Sequence, residues 1–253
     1  MNILALDIDG TLIPSKSTLS DLAKGLFDIS KYSQEKNFAI ALVTGRSMNE
    51  IFMDNYLIEI LDPIFIITNC GMEIFRKNEP HKRELCLKYN YYLNQSDTAE
   101  LDDCVNYLIE FNPNIFSQDS KKQFKYKKSY FINNGDLGAL KKELLLANNL
   151  FPNIDVLVSF NESSMHFLDI QHKNSTKFGA LKFLIDNGKL TDVFFFGDNG
   201  NDIPCINNLP NSFLFGNFKD EIEFFYGRQR SGCFIYEDSG PEAILKTLKS
   251  YLN

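Results

Sequence analysis

The chain has 253 residues, 44% of them hydrophobic and 23% charged, which is enough for one large domain or two smaller ones. Its 26 basic and 33 acidic residues leave a formal charge of -7, which argues against a nucleic-acid surface or an anionic membrane as the main partner. The five cysteines (Cys70, Cys86, Cys104, Cys205, Cys233) are widely spaced with no C-x-x-C, so neither a disulfide framework nor a thiolate zinc site is signalled.

In chain order, the segment MNILALDID has no positive n-region and reaches Asp7 directly after the apolar run ILAL (3–6), so it does not read as a signal peptide. No later apolar run approaches membrane-spanning length, and a cytoplasmic protein is expected. A stripe of Leu19, Leu22, Ala23, Leu26 and Phe27 has helical spacing. The run FAIALV (38–43) leads to TGRS, and a looser helical stripe of Ile51, Leu57, Ile58 and Leu61 follows. The run IFII (64–67) leads to TNCG.

From about 79 to 172 the pattern changes. Phe124 and Tyr126 alternate with Gln123, Lys125 and Lys127, HFLDI reads as a second strand of a half-exposed sheet, and Leu101 to Phe111 reads as helix. The lysines of this stretch are expected on a solvated sheet face. Beyond it, Thr176 precedes a helical stripe of Leu181, Leu184 and Ile185 that Gly188 can stop, VFFF (193–196) leads to GDNGND, and Pro241 suits the first turn of a last helix.

Apolar runs without alternation are what strands buried on both faces look like, so the core reads as a doubly wound α/β parallel sheet. In such sheets ligands bind beyond the carboxyl ends of the strands, where all four polar clusters would lie. The expected division is core 1–78, an inserted α+β unit 79–172, and core 173–253.

The pair Asp7 and Asp9 poses a problem of like charges. An EF-hand is excluded, because Thr11 and Leu12 occupy the fifth and sixth positions. Turn chemistry would explain one such cluster but not four at corresponding strand ends. A hard divalent cation would offset the repulsion: Mg2+ takes one or two carboxylates, waters and a phosphate oxygen, and Asp7, the carbonyl of Asp9 and Asp198 could supply such a set, with Asp202 as a ligand, holding a water or serving as a structural helix cap. Asp7 can then attack phosphorus, and Asp9, past the turn that Gly10 permits, can act as acid and then base. Thr44, the N–H groups of Gly45 and Arg46, Lys177 and Asn201 are the candidate phosphate donors.

DIDGT (7–11), TGR (44–46), Lys177 in TKFGAL and GDNGND (197–202) together resemble the four signature motifs of the haloacid dehalogenase (HAD) superfamily of phosphohydrolases. LDI at 168–170 before Lys177, with Ala180 and Leu181 after it, and ITNCGMEIF (67–75) are similar to the Cof-like and sucrose-phosphate phosphatase branch, whose cap is of type IIB. The resemblance covers essentially the whole chain. It implies a Rossmann-like core with an inserted cap and a Mg2+-dependent phosphomonoesterase. In that implication Asp7 is nucleophile and Asp9 acid/base, Asp198 binds metal, and Thr44, Lys177 and Asn201 hold phosphate. The sequence matches the branch within 216–234 only at GN (216–217).

Asn69 and Gly71 at a strand end suit a hydroxyl-rich leaving group, so a sugar or polyol phosphate is the expected substrate, bound by a monomer or weak homodimer. Two alternatives share these residues. A phosphomutase would return the phosphoryl group to sugar and need a bisphosphate activator. A non-catalytic sugar-phosphate sensor would tolerate loss of Asp7 or Asp9, and both are present.

Overall fold

A computed structural model describes residues 1–14, 19–79, 82–112, 114–133, 137–162, 165–227, 233–235 and 239–252. The chain begins with β1 (Ile3–Leu6), α1 (Leu19–Glu35), β2 (Ala39–Val43), α2 (Met48–Met53), α3 (Tyr56–Leu61) and β3 (Phe65–Thr68). A hairpin of β4 (Glu73–Glu79) and β5 (Lys82–Leu85) leads to α4 (Leu87–Leu93), α5 (Ala99–Phe111), β6 (Ile115–Ser117), β7 (Lys127–Asn133), α6 (Leu137–Leu150), β8 (Ile154–Ser159) and β9 (Met165–His172). The chain then runs through α7 (Lys177–Asp186), β10 (Val193–Gly197), α8 (Ile203–Asn208), β11 (Asn211–Phe215), α9 (Lys219–Tyr226), β12 (Phe234–Ile235) and α10 (Pro241–Leu252).

The larger sheet has the order β12-β11-β10-β1-β2-β3-β4-β5. It is parallel from β12 to β3, and β4 and β5 add to it antiparallel, so the sheet runs on to Leu85. Its central strands are apolar throughout because both faces are covered. Ile3, Ala5, Val193 and Phe195 pack into one cluster, while Leu4, Leu6, Phe194 and Phe196 pack into another on the opposite face. The looser stripe after TGRS is two short helices, separated at Asp54–Asn55, which bury Ile51, Leu57, Ile58 and Leu61. Phe27, expected on the buried stripe of α1, is instead exposed, because the inward line runs through Leu22, Leu26, Ile29 and Tyr32.

The smaller sheet, β6-β7-β9-β8, is antiparallel throughout. Leu101, Cys104 and Leu108 of α5 and Leu140, Leu144 and Ala147 of α6 join Ile132, Val156, Leu168 and Ile170 of this sheet in one core. Alternation places Lys127, Ser129, Asp169 and Gln171 on its other face, with Lys127 opposite Gln171 and Ser129 opposite Asp169. This corrects one expectation. Lys127 is buried, not solvated, and its Nζ lies 3.3 Å from Asp169 Oδ1, which also accepts from Ser129 Oγ at 2.6 Å. Among the described residues no helix is long and apolar enough to cross a membrane.

Candidate active site

The strand order places β10, β1 and β2 side by side, so the residues that follow them come together at one sheet edge. Asp7, Asp198 and Asp202 are all buried, and each offers a carboxylate oxygen within 4.8 Å of the others. Lys177, the first residue of α7, brings its ammonium into this group. Its Nζ lies 2.9 Å from Asp7 Oδ1 and 2.7 Å from Asp202 Oδ1, and it donates to Asn201 Oδ1 at 3.2 Å. The lysine is aimed there by a capped helix start, where Thr176 Oγ1 accepts from Gly179 N at 2.9 Å.

Burial pushes the Asp7 carboxyl well above the usual carboxylate range; Lys177 opposes the shift, and Asp202 and Asp198 reinforce it. Burial, with Asp202 next, pushes Asp198 up to about 7. For Lys177 the large burial effect is downward, but Asp202 and Asp7 outweigh it and hold the ammonium protonated. Three carboxylates against one ammonium leave excess negative charge in a dry site, and a hard dication would relieve it.

Asp202 has both oxygens engaged within the chain. Oδ2 accepts from Asp198 N at 3.0 Å and from Asn199 N at 3.1 Å, while Oδ1 faces Lys177. It therefore braces the 198–202 loop and anchors the lysine. Thr11 Oγ1 donates to Asp198 Oδ1 at 3.2 Å, and Asn217 Nδ2 lies 3.5 Å from Asp198 Oδ2 while donating to Gly10 O at 3.0 Å.

The Asp9 carboxylate is not in this cluster. Its side chain is 61% exposed and sits in the fork of Arg46, with Nε 2.8 Å from Oδ2 and Nη2 2.5 Å from Oδ1. Arg46 also pairs with Asp54. The arginine expected to act through its backbone thus holds the expected acid/base through its guanidinium. Thr44 is buried, its Oγ1 accepts from Arg46 N at 3.1 Å, and Gly45 leaves room for the Cys70 thiol, to which a Cβ would approach within 3.3 Å.

Gly10 has φ +77°, and a Cβ there would stand 2.1 Å from Asp198 Oδ2. Gly10→Ala is expected to lose most activity through displacement of Asp198 and to lower stability by about 1–3 kcal/mol through backbone strain. Parallel kinetics and thermal melts check this, and a variant matching the parent in both would place Gly10 outside the site.

Sequence reasoning missed Asn217, Cys70 and the structural use of Thr11. The only signal for Asn217 was the dipeptide GN. Cys70 has φ +61° between Asn69 and Gly71, also at positive φ, and its thiol lies 3.7 Å from Asn201 Nδ2 and 3.8 Å from Asp169 Oδ2. It links the loop of Asn201 to the smaller sheet. A cavity of about 940 Å3 opens beside Asp9, Gly10 and Asp198 and extends to Phe160, Asn161 and Phe218.

The architecture is shared with solved structures. The sucrose-phosphatase of Synechocystis sp. PCC6803, in complex with sucrose and phosphate, superposes with a TM-score of 0.73 at 18% identity, covering 98% of this chain and 97% of that one. A haloacid dehalogenase-like hydrolase of Bacillus subtilis gives 0.62 at 19% identity, with 99% and 91% covered. The HAD subclass IIB sugar phosphatase BT4131 gives 0.60 at 14% identity, with 99% of each chain covered. A Haemophilus influenzae protein to which phosphatase activity is ascribed is 31% identical over 81 residues, a stretch spanning 31% of this chain and 29% of that one.

The doubly wound sheet and its inserted cap are those of a HAD-superfamily phosphatase. The chain belongs to the sucrose-6F-phosphate phosphohydrolase family, whose model matches residues 1–251.

Proposed function

We propose that the protein is a Mg2+-dependent hydrolase of a sugar or polyol phosphomonoester, working through an aspartyl-phosphate on Asp7. The observation that carries this reading is the approach of Asp7, Asp198 and Asp202 to within 4.8 Å around a buried lysine. The donors are hard oxygens of the kind Mg2+ takes, and the upward shifts of Asp7 and Asp198, caused first by burial and then by neighbouring carboxylates, mark a cost of ionisation that a dication offsets. Asp7, the carbonyl of Asp9 and Asp198 would hold the ion, with Asp202 bracing their loop. When bound, Mg2+ neutralises phosphate charge and lets a carboxylate approach phosphorus.

The chain's own residues perform the remaining steps. An Asp7 oxygen forms a bond to phosphorus as the bond to the leaving oxygen breaks, and Asp9 gives that oxygen its proton. Asp9 then takes a proton from water, which attacks the same phosphorus and releases phosphate with Asp7 restored. Arg46 orients Asp9 at the cavity wall, where a leaving group would lie. Thr44 and Gly45 of the TGR loop, with Asn201 and the Lys177 charge, hold the phosphoryl oxygens, whereas the Arg46 N–H is engaged with Thr44 Oγ1.

Three observations support a sugar leaving group. They are the family, the sucrose bound to the Synechocystis relative, and the polar face of Lys127, Ser129 and Asp169 beside Cys70. The test is phosphate release from sugar, polyol and nucleotide monophosphates with Mg2+ or with EDTA. Release is expected from a sugar or polyol monophosphate without a bisphosphate activator, and EDTA should abolish it. Equal turnover in EDTA would overturn the metal assignment, and no release from any monoester would overturn the activity.

A further inference from the structure

Among the described residues, strand β8 is an edge of the smaller sheet, bonded within it only to β9, so its outer N–H and C=O groups need partners from elsewhere. Val156 N donates to Asn148 Oδ1 of α6 at 3.3 Å, and at the C-terminal end of the strand side chains of the larger unit supply the partners. The Tyr226 hydroxyl, at the end of α9, accepts from Val158 N at 2.5 Å and donates to Val158 O at 2.9 Å. The Asn199 carboxamide pairs with Phe160 as a neighbouring strand would: Phe160 N donates to Oδ1 at 2.7 Å, and Nδ2 donates to Phe160 O at 2.8 Å.

Between them, Gly200 packs so closely on β8 that a Cβ would stand 1.7 Å from Val158 O, and Asn201 N donates to Ser159 Oγ at 3.1 Å. Three consecutive residues after Asp198 thus meet three consecutive residues at the end of β8. Asn199 is tied both ways, to Phe160 through its side chain and to Asp202 Oδ2 through its N–H at 3.1 Å.

We propose that Asn199 and Tyr226 are positioning residues that dock the edge strand of the cap onto the acidic loop and thereby set the distance between the cap face and Asp198, Asn201 and Asp202. The inference rests on the reading of that loop as part of the active site. Releasing β8 would strip partners from buried groups of Val158 and Phe160, so docking is expected to be lost as a unit rather than bond by bond.

Amide exchange followed by NMR on Tyr226→Phe and Asn199→Ala, with steady-state kinetics on a sugar phosphate, tests this. Tyr226→Phe keeps the ring and removes only the hydroxyl. Exchange is expected to accelerate by about tenfold or more at Val158, Phe160 and Asn201 together, although the hydroxyl hydrogen-bonds to Val158. Asn199→Ala should give the same pattern from the other end. In both, KM for the sugar phosphate should rise by a larger factor than kcat falls. Acceleration confined to Val158 in Tyr226→Phe, with Phe160 and Asn201 at the parent rate, would overturn the proposal. Exchange needs no substrate, so a protein that shows the coupled pattern yet releases no phosphate would overturn the functional reading and leave the docking intact.

Discussion

Asp7→Asn is expected to reduce turnover by roughly a thousandfold or more while leaving the protein folded and no less stable than the parent. The substitution keeps the volume of the side chain and removes the anionic oxygen that the proposed mechanism uses to attack phosphorus. Stability should not suffer, because burial and the neighbouring Asp202 and Asp198 make the charged form of Asp7 costly in the folded state. Lys177 keeps a partner in Asp202 at 2.7 Å, so no ammonium is left unpaired. Thermal melts and phosphate release on the same preparation check both halves. Retained turnover would remove Asp7 from the role of nucleophile, and a collapse of the fold would make its charge structural.

Lys177→Met should act on both activity and stability. The ammonium is buried between Asp7 and Asp202, and removing one partner of a buried ion pair costs about 3–5 kcal/mol because the other charges stay desolvated. Activity should fall by about a hundredfold or more through loss of charge beside the transferred phosphoryl group. The stability loss should depend on pH. Asp198 sits at about 7 in the folded protein, above its ordinary value of 3.8, and Asp7 is raised as well. Groups raised in this way take up protons on folding, so stability is greatest below the unfolded value and declines as pH rises towards 7. Without the lysine these carboxyls rise further, so the defect should be small near pH 5 and large near pH 8. Melts of parent and variant at the two pH values read this directly. In the proposed site Mg2+ should restore part of the loss at pH 8, and an equal defect at both pH values would contradict the electrostatic account.

The core was legible because its strands carry a local signal. ILAL, FAIALV and VFFF are apolar at every position, which only strands covered on both faces require, and each stops at Asp7, Thr44 or the GDNGND loop. Helix starts were legible for a similar reason, since Thr176 and Pro241 act within one turn of themselves. Phe27 shows where a stripe misleads: it follows Leu26 directly, and one residue of helix turns it about 100° away from the buried line.

The sequence by itself determined the order and spacing of the polar clusters, and with them the doubly wound core, the inserted unit and the candidate acids Asp7, Asp9, Asp198 and Asp202. Those features are local, resting on short periodicities and on residues a few positions apart. Only the tertiary structure decided which groups face one another: Asp9 against Arg46, Asp202 spent on the loop and on Lys177, Lys127 buried on Asp169, and Asn199 paired with Phe160. Apart from the bonds of Asp202 within its own loop, those pairings join residues 25 to 42 positions apart, and their distances depend on strand order and on how the elements pack, which no local pattern encodes.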